Sequence, residues 1–290
     1  MPDRTEHIPL LPITPSILDA DFTTPLIISL VGGGGKTSTA FWLAQEFKKR
    51  GHCVLVSTTT KMYLPAPEQA DCFICADNNN SGKSPETALL SRLQNQLSKP
   101  AITFCYQNEI APNNGKMTGN TKEQTKVSGI TPNLVEQLKN TSPFTIFIIE
   151  ADGAKCLPIK APSGHEPCIP INSDMVIGVT GAEIIHTQAR PERIHRWNMF
   201  SALTQCSEGD EIDHRILCRL IEHPHGMFKQ APDHAIKIWL INKVDLAPVY
   251  LKLTQLAQTI ITQTHQLDAI WLAAMHDLSP IKDIVTRGDT

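Results

Sequence analysis

Three short clusters hold most of the chemistry that this chain could perform. The first is Gly32-Gly33-Gly34-Gly35-Lys36-Thr37-Ser38. Glycines accept positive φ and let backbone N–H groups approach an anion with no Cβ in the way. Such groups form an anion-binding concavity at the positive end of a following helix. Lys36 supplies a point charge for β- and γ-phosphate oxygens, and the Thr37 hydroxyl is a hard donor suited to Mg²⁺. The second cluster is Glu150-Ala151-Asp152-Gly153. Two carboxylates two residues apart can divide their work between a metal ion and an attacking water. Thr37, Glu150 and Asp152 are thus the candidate metal ligands, with Lys36 and Asp152 as candidate catalytic groups. The third is Asn242-Lys243-Val244-Asp245. An Asp carboxylate here would accept from guanine N1–H and the 2-amino group while the Lys243 stem packs on the base; adenine presents the opposite pattern.

Each cluster lies at the end of a run that reads as a buried strand. Residues 26–31 are apolar but for Ser29 before the glycines, 144–149 but for Thr145 before Glu150, and 235–241 but for Lys237 before Asn242. Residues 37–50 carry apolar side chains at helical spacing and stop at Gly51, and 53–57 is a second short strand, which completes a βαβ unit. Strand, glycine turn and helix in that order is the arrangement of nucleotide-binding P-loops. One spacing departs from the common pattern, because G-x-x-x-x-G-K-[ST] would place its first glycine at position 30, which is Leu30. Ser81-Gly82-Lys83-Ser84 repeats Gly-Lys-Ser but follows Asn78-Asn79-Asn80 instead of an apolar strand, and reads as a surface loop. The expected fold is α/β, a P-loop NTPase with a mostly parallel sheet, helices on both faces and ligands at the C-terminal strand ends.

Along the rest of the chain, further strands are expected at 101–106 and 174–179, with a last one at 269–273. Helices are expected at 84–98, 132–140, 211–222 and 249–265. Residues 108–130 read as a long inserted loop of the kind that is usually functional or mobile. Residues 1–24 carry four prolines and read as an N-terminal arm, with 25–290 as one nucleotide-binding domain. Beside the three clusters, Lys155 and His165 are candidate catalytic helpers in a cationic, irregular segment. A lone histidine is also common in purely structural roles. Thr59, Thr60, Lys61, Lys160, Arg193 and Arg196 are candidate substrate contacts.

Composition narrows the class. With 41% hydrophobic and 19% charged residues over 290 positions, the chain can bury a sizeable core. A net charge of −3 argues against nucleic acid as the main partner. No apolar run approaches the roughly 18 residues that cross a membrane, and the N-terminus lacks the pattern of a secretory signal. A cytoplasmic setting with reduced, buried cysteines is therefore expected for the eight cysteines. Cys72 and Cys75 form a lone C-x-x-C that strand alternation would send to opposite faces.

The order Gly32–Thr37, Glu150–Gly153, Asn242–Asp245 resembles metallochaperone GTPases, with E-x-x-G in place of D-x-x-G. More narrowly, these motifs together with Thr58-Thr59-Thr60-Lys61, Ala154-Lys155, residues 157–162 and His165-Glu166-Pro167 resemble the YqeC family over roughly residues 24–275. That resemblance implies a role in selenium cofactor biosynthesis, accessory to selenium-dependent molybdenum hydroxylases, with such a hydroxylase or its cofactor machinery as partner. The expected activity is Mg²⁺-dependent hydrolysis of GTP, favoured over ATP. Two rivals stay open: an ATP-dependent kinase or ligase acting on a small substrate, and a non-catalytic nucleotide switch.

Overall fold

The computed structural model describes residues 24–77, 89–90, 92–93, 99–111, 124–247 and 250–289. Its centre is a nine-stranded sheet. β1 (Leu26–Gly32) lies between β8 (Ile146–Glu150) and β10 (Met175–Gly181). Beyond β8 come β2 (Val54–Thr58), β5 (Ile102–Tyr106) and β4 (Cys72–Cys75). Beyond β10 come β12 (Ile236–Asn242), β13 (Ala269–Ala273) and β14 (Ile281–Thr286). All pairings are parallel except β13 with β14. β1, β2, β5, β8, β10 and β13 are buried along their whole length, which is why each reads as a largely apolar run.

Helices cover both faces. On one face α1 (Lys36–Lys49) packs Phe41, Leu43, Ala44 and Phe47 over Leu26, Ile28 and Leu30. On the other lie α2 (Pro132–Thr141), α3 (Trp197–Thr204), α4 (His214–Glu222) and α5 (Tyr250–Gln263). Local chemistry sets their starts. The Thr131 side chain accepts the Leu134 N–H with Pro132 in the first turn of α2, and Asp213 accepts the N–H groups of Arg215 and Ile216 ahead of α4. That cap starts α4 at His214, three residues later than residue 211.

The chain leaves β1 towards β2, returns through β8, and then builds β10, β12 and β13 on the opposite side. Direction therefore reverses around β1, and the crevice outside the C-terminal ends of β8, β1 and β10 is where such sheets hold ligands.

Two expectations are corrected. Residues 108–130 are not a structureless loop throughout, because β6 (Asn108–Ile110) and β7 (Lys126–Ser128) pair antiparallel, and β7 also pairs with β3 (Lys61–Tyr63). Val127 and Met62 anchor this small sheet in the core. Nor is 269–273 the last strand: β14 follows as an antiparallel edge. The expected helix at 84–98 falls largely outside the described residues, as do Ser81–Ser84 and the 1–23 segment; residues 89–90 and 92–93 are helical.

Candidate functional site

Gly32–Gly35 leave β1 and turn into α1, which begins with no side-chain cap and no acidic residue in its first turn. The glycines are required by their neighbours. A Cβ at Gly32 would strike the Val179 carbonyl, at Gly33 the Leu157 carbonyl, at Gly34 the Gly181 backbone, and at Gly35 the Asn242 amide. Three of the loop N–H groups are already donated to protein: Gly32 to Asp152 Oδ2 (3.0 Å), Gly33 to the Val179 carbonyl (2.8 Å) and Gly34 to the Leu157 carbonyl (3.0 Å). An anion at this turn would accordingly be met by the uncapped first turn of α1, from Lys36 to Ser38.

Lys36 is only 4% exposed. Its ammonium donates to the Gly32 carbonyl (2.7 Å) and stands 3.1 Å from Asp152 Oδ1 and 3.7 Å from Glu150 Oε1. Burial works against its charge, but Asp152 and then Glu150 outweigh it and raise the pKa above the ordinary lysine value. The Thr37 hydroxyl donates to Glu150 Oε2 at 2.9 Å. Glu150 itself is the final residue of β8, with its carbonyl held by the Thr58 hydroxyl (2.7 Å) and the Thr59 N–H (3.1 Å). One hydroxyl, two carboxylates and one buried cation thus meet at the tips of two adjacent strands. This all-oxygen donor set fits Mg²⁺, a hard ion that completes its shell with water and phosphate oxygens.

Behind this centre runs a buried ionic chain. Lys160 lies at the end of β9 (Ile159–Lys160), which pairs with β11 (Ile194–His195). Its ammonium contacts Asp152 Oδ2 (3.0 Å), Glu166 Oε2 (3.0 Å) and the Gly153 carbonyl (2.7 Å). Arg196 closes the chain on Glu166 Oε2 at 2.7 Å. Burial pulls the Lys160 pKa down despite Asp152 and Glu166, with Lys36 adding to the effect. Lys155 and Cys156 both adopt positive φ (49° and 61°), so the chain turns back sharply after Gly153. The turn brings the Leu157 and Pro158 carbonyls onto the glycine loop and Gly181.

The remaining expected residues divide. Asn242 is buried; its amide donates to the Gly34 carbonyl (2.9 Å) and accepts the Met275 N–H (3.1 Å), which makes it a clamp between β12, the loop and the β13 tip. Lys243 pairs with Glu183 Oε1 at 2.5 Å. Asp245 is exposed in a one-turn 3₁₀ helix (Val244–Leu246). At the β13 tip the Ala274 N–H donates to the Pro280 carbonyl. Of the candidate substrate contacts, the Thr59 hydroxyl binds the Cys168 carbonyl, the Thr60 hydroxyl lies 3.4 Å from that of Thr58, and Arg193 binds the Glu183 carbonyl. Lys160 and Arg196 belong to the ionic chain. His165 is exposed and outside the cleft described next. The eight cysteines are free, but only Cys105 and Cys206 are buried and Cys156 is exposed, so burial is not general among them. Cys72 and Cys75 pack against different sides of the sheet.

A cleft of about 820 Å³ opens in front of the loop, lined by Gly34–Ser38, residues 61–66, Gln69, Gln124, Lys126, Glu150, 153–156 and Lys243. Sequence reasoning missed Glu166, Glu183 and this far wall. Glu183 follows a buried strand closely, as Glu150 ends one, and that position was a usable signal; the wall is built from strands too short to read. Among the described residues, no helix is long and apolar enough to cross a membrane.

Compared with known proteins, the family model for "YqeC protein" matches residues 28–198. The chain is 33% identical over 268 residues to "Uncharacterized protein YqeC" of Escherichia coli (strain K12), covering 91% of this chain and 94% of that one.

Proposed function

Because this chain belongs to the YqeC family, and because its glycine loop carries a buried lysine beside two strand-end carboxylates, we propose that it is a Mg²⁺-dependent P-loop nucleoside triphosphatase. The observation that carries this reading is the convergence of Lys36, Thr37, Glu150 and Asp152. A turn with no ligand would need neither a lysine sealed from water nor a helix that starts uncapped. A triphosphate arriving at α1 draws the Lys36 ammonium off Asp152 and onto its β- and γ-oxygens. Thr37 and Glu150 are the residues that would hold Mg²⁺, and the ion when bound would neutralise charge on the phosphates. Asp152, relieved of Lys36, keeps the Gly32 N–H and Lys160 and has Oδ1 free to orient a water and accept its proton. Residues 25–290 act as one nucleotide-binding domain in this reading.

GTP is favoured over ATP on the Asn242–Asp245 motif, with Asp245 as the base contact and Asn242 holding the loop that faces the phosphates. The setting, a cytoplasmic step in maturation of a selenium- or molybdenum-containing cofactor with a hydroxylase or its cofactor machinery as partner, rests on the resemblance in the motifs. The test is binding of GTP, ATP and their diphosphates with and without Mg²⁺, followed by turnover. GTP should bind tighter, need Mg²⁺ and release phosphate, and Asp245→Asn should erase the preference. Equal binding of both nucleotides, unchanged in Asp245→Asn, removes the guanine assignment; no binding of either removes the whole reading.

A further inference from the structure

The tips of β10, which leads into Glu183, and of β12, which leads into Lys243 and Asp245, lie with β13 on one side of β1. The cleft extends to the other side. Apart from Lys243, its walls beyond the loop come from the segments that follow β8 and β2 and from the small sheet of β3 and β7. A nucleotide with its phosphates on α1 and its base towards Asp245 therefore leaves this half of the cleft open. Asp245 is not among the residues that line it.

The lining is unbalanced in charge. Lys36, Lys61, Lys126, Lys155 and Lys243 face it, against Glu150 as its sole acidic side chain among the described residues. This occurs in a chain whose net charge is −3, so the excess is local. Lys36 and Lys243 are neutralised by Asp152 and Glu183. Lys61, Lys126 and Lys155 form no ion pair among the described residues. Lys126 is held in the wall by Tyr63, with Nζ 4.9 Å from the ring centre, and β pairing sets Tyr63 opposite Lys126 with Lys61 two residues earlier on the same face. Leu64, Pro65 and Ala66 add an apolar stretch to the same lining. Several convergent polar groups over an apolar floor are the makings of a small-molecule site.

From this lining we infer that the cleft beyond the phosphate loop is a second-substrate site for a small organic polyanion bearing two or more carboxylate or phosphate groups. Lys61 and Lys126 grip one anionic group on the small sheet, and Lys155 meets another near the loop. The inference rests on the nucleotide reading above for its account of which half of the cleft is open.

The test is calorimetric titration of the full chain at 0.15 M salt, where diffuse charge attraction is screened beyond about 8 Å. The phosphate loop is first saturated with Mg²⁺ and guanosine 5′-(β,γ-imido)triphosphate. Citrate and 2-phosphoglycerate are then the probes, one carrying only carboxylates and the other a phosphate as well. At least one should bind saturably at one site, and Lys61→Gln with Lys126→Gln should weaken it on the order of tenfold. The imidotriphosphate should bind the double variant within about threefold of wild type. Failure of both probes to saturate overturns the inference, as does probe binding that the double variant leaves unchanged. Equal weakening of nucleotide and probe also overturns it, since the cleft would then be the nucleotide's own. If the wild type binds no nucleotide, the same titrations run without it. Probe binding lost in the double variant then keeps the site and drops the nucleotide reading, and no probe binding ends both.

Discussion

At Lys160 a single ammonium, with its side chain 1% exposed, holds the carboxylates of Asp152 and Glu166 together. Removing one member of a buried ionic set leaves charge with no compensation and costs about 3–5 kcal/mol, whereas removing members together costs less. Lys160→Met should lower the urea midpoint by a matching amount, and adding Asp152→Asn should restore part of it. Lys36, Thr37, Glu150 and Asp152 could be read as a group because each lies just past a largely apolar run, so strand ends fix their location. Lys160 read as a substrate contact in an irregular, cationic segment. Its burial depends on partners that only the fold supplies, and the apolar neighbours Ile159 and Ala161 were the one local hint.

Among the elements, β12 is tied to the glycine loop and the β13 tip by the Asn242 side chain. Asn242→Ala would leave the Gly34 carbonyl and the Met275 N–H buried without partners, a loss of about 1–3 kcal/mol for each group. The expected outcome is a lower denaturation midpoint, faster amide exchange at Met275 and weaker nucleotide binding. Parallel strands were legible because burial on both faces makes them continuously apolar. β14 was not, since it is an edge strand with only Val285 fully buried, and its sequence alternates in a way that short loops share. β3, β6 and β7 are three residues each, too few to show a period. The far wall of the cleft was hidden for that reason alone.

For the whole molecule, one route by which pH acts is His195, whose pKa falls from the ordinary 6.5 to about 4. Burial is the first cause, followed by the positive charges of Arg196, Lys160 and Lys155, with Glu166 opposing. The folded protein therefore binds fewer protons than the unfolded chain below about pH 6.5, so this contribution to stability is intact above that value and declines as pH falls towards 4. Because the ring is half-exposed, solvent screening reduces the size of the effect. His195→Gln should flatten the fall in urea midpoint between pH 7 and pH 4.5 and leave the value at pH 7 nearly unchanged. The crowding around Gly32–Gly35 has a last consequence. A loop moulded by the surrounding backbone has its shape before any guest arrives, so association should carry little ordering entropy and crystals with and without nucleotide should superimpose at these four positions. A large unfavourable entropy in the calorimeter, traced to this turn, would mean that the mould sets only after the guest is seated.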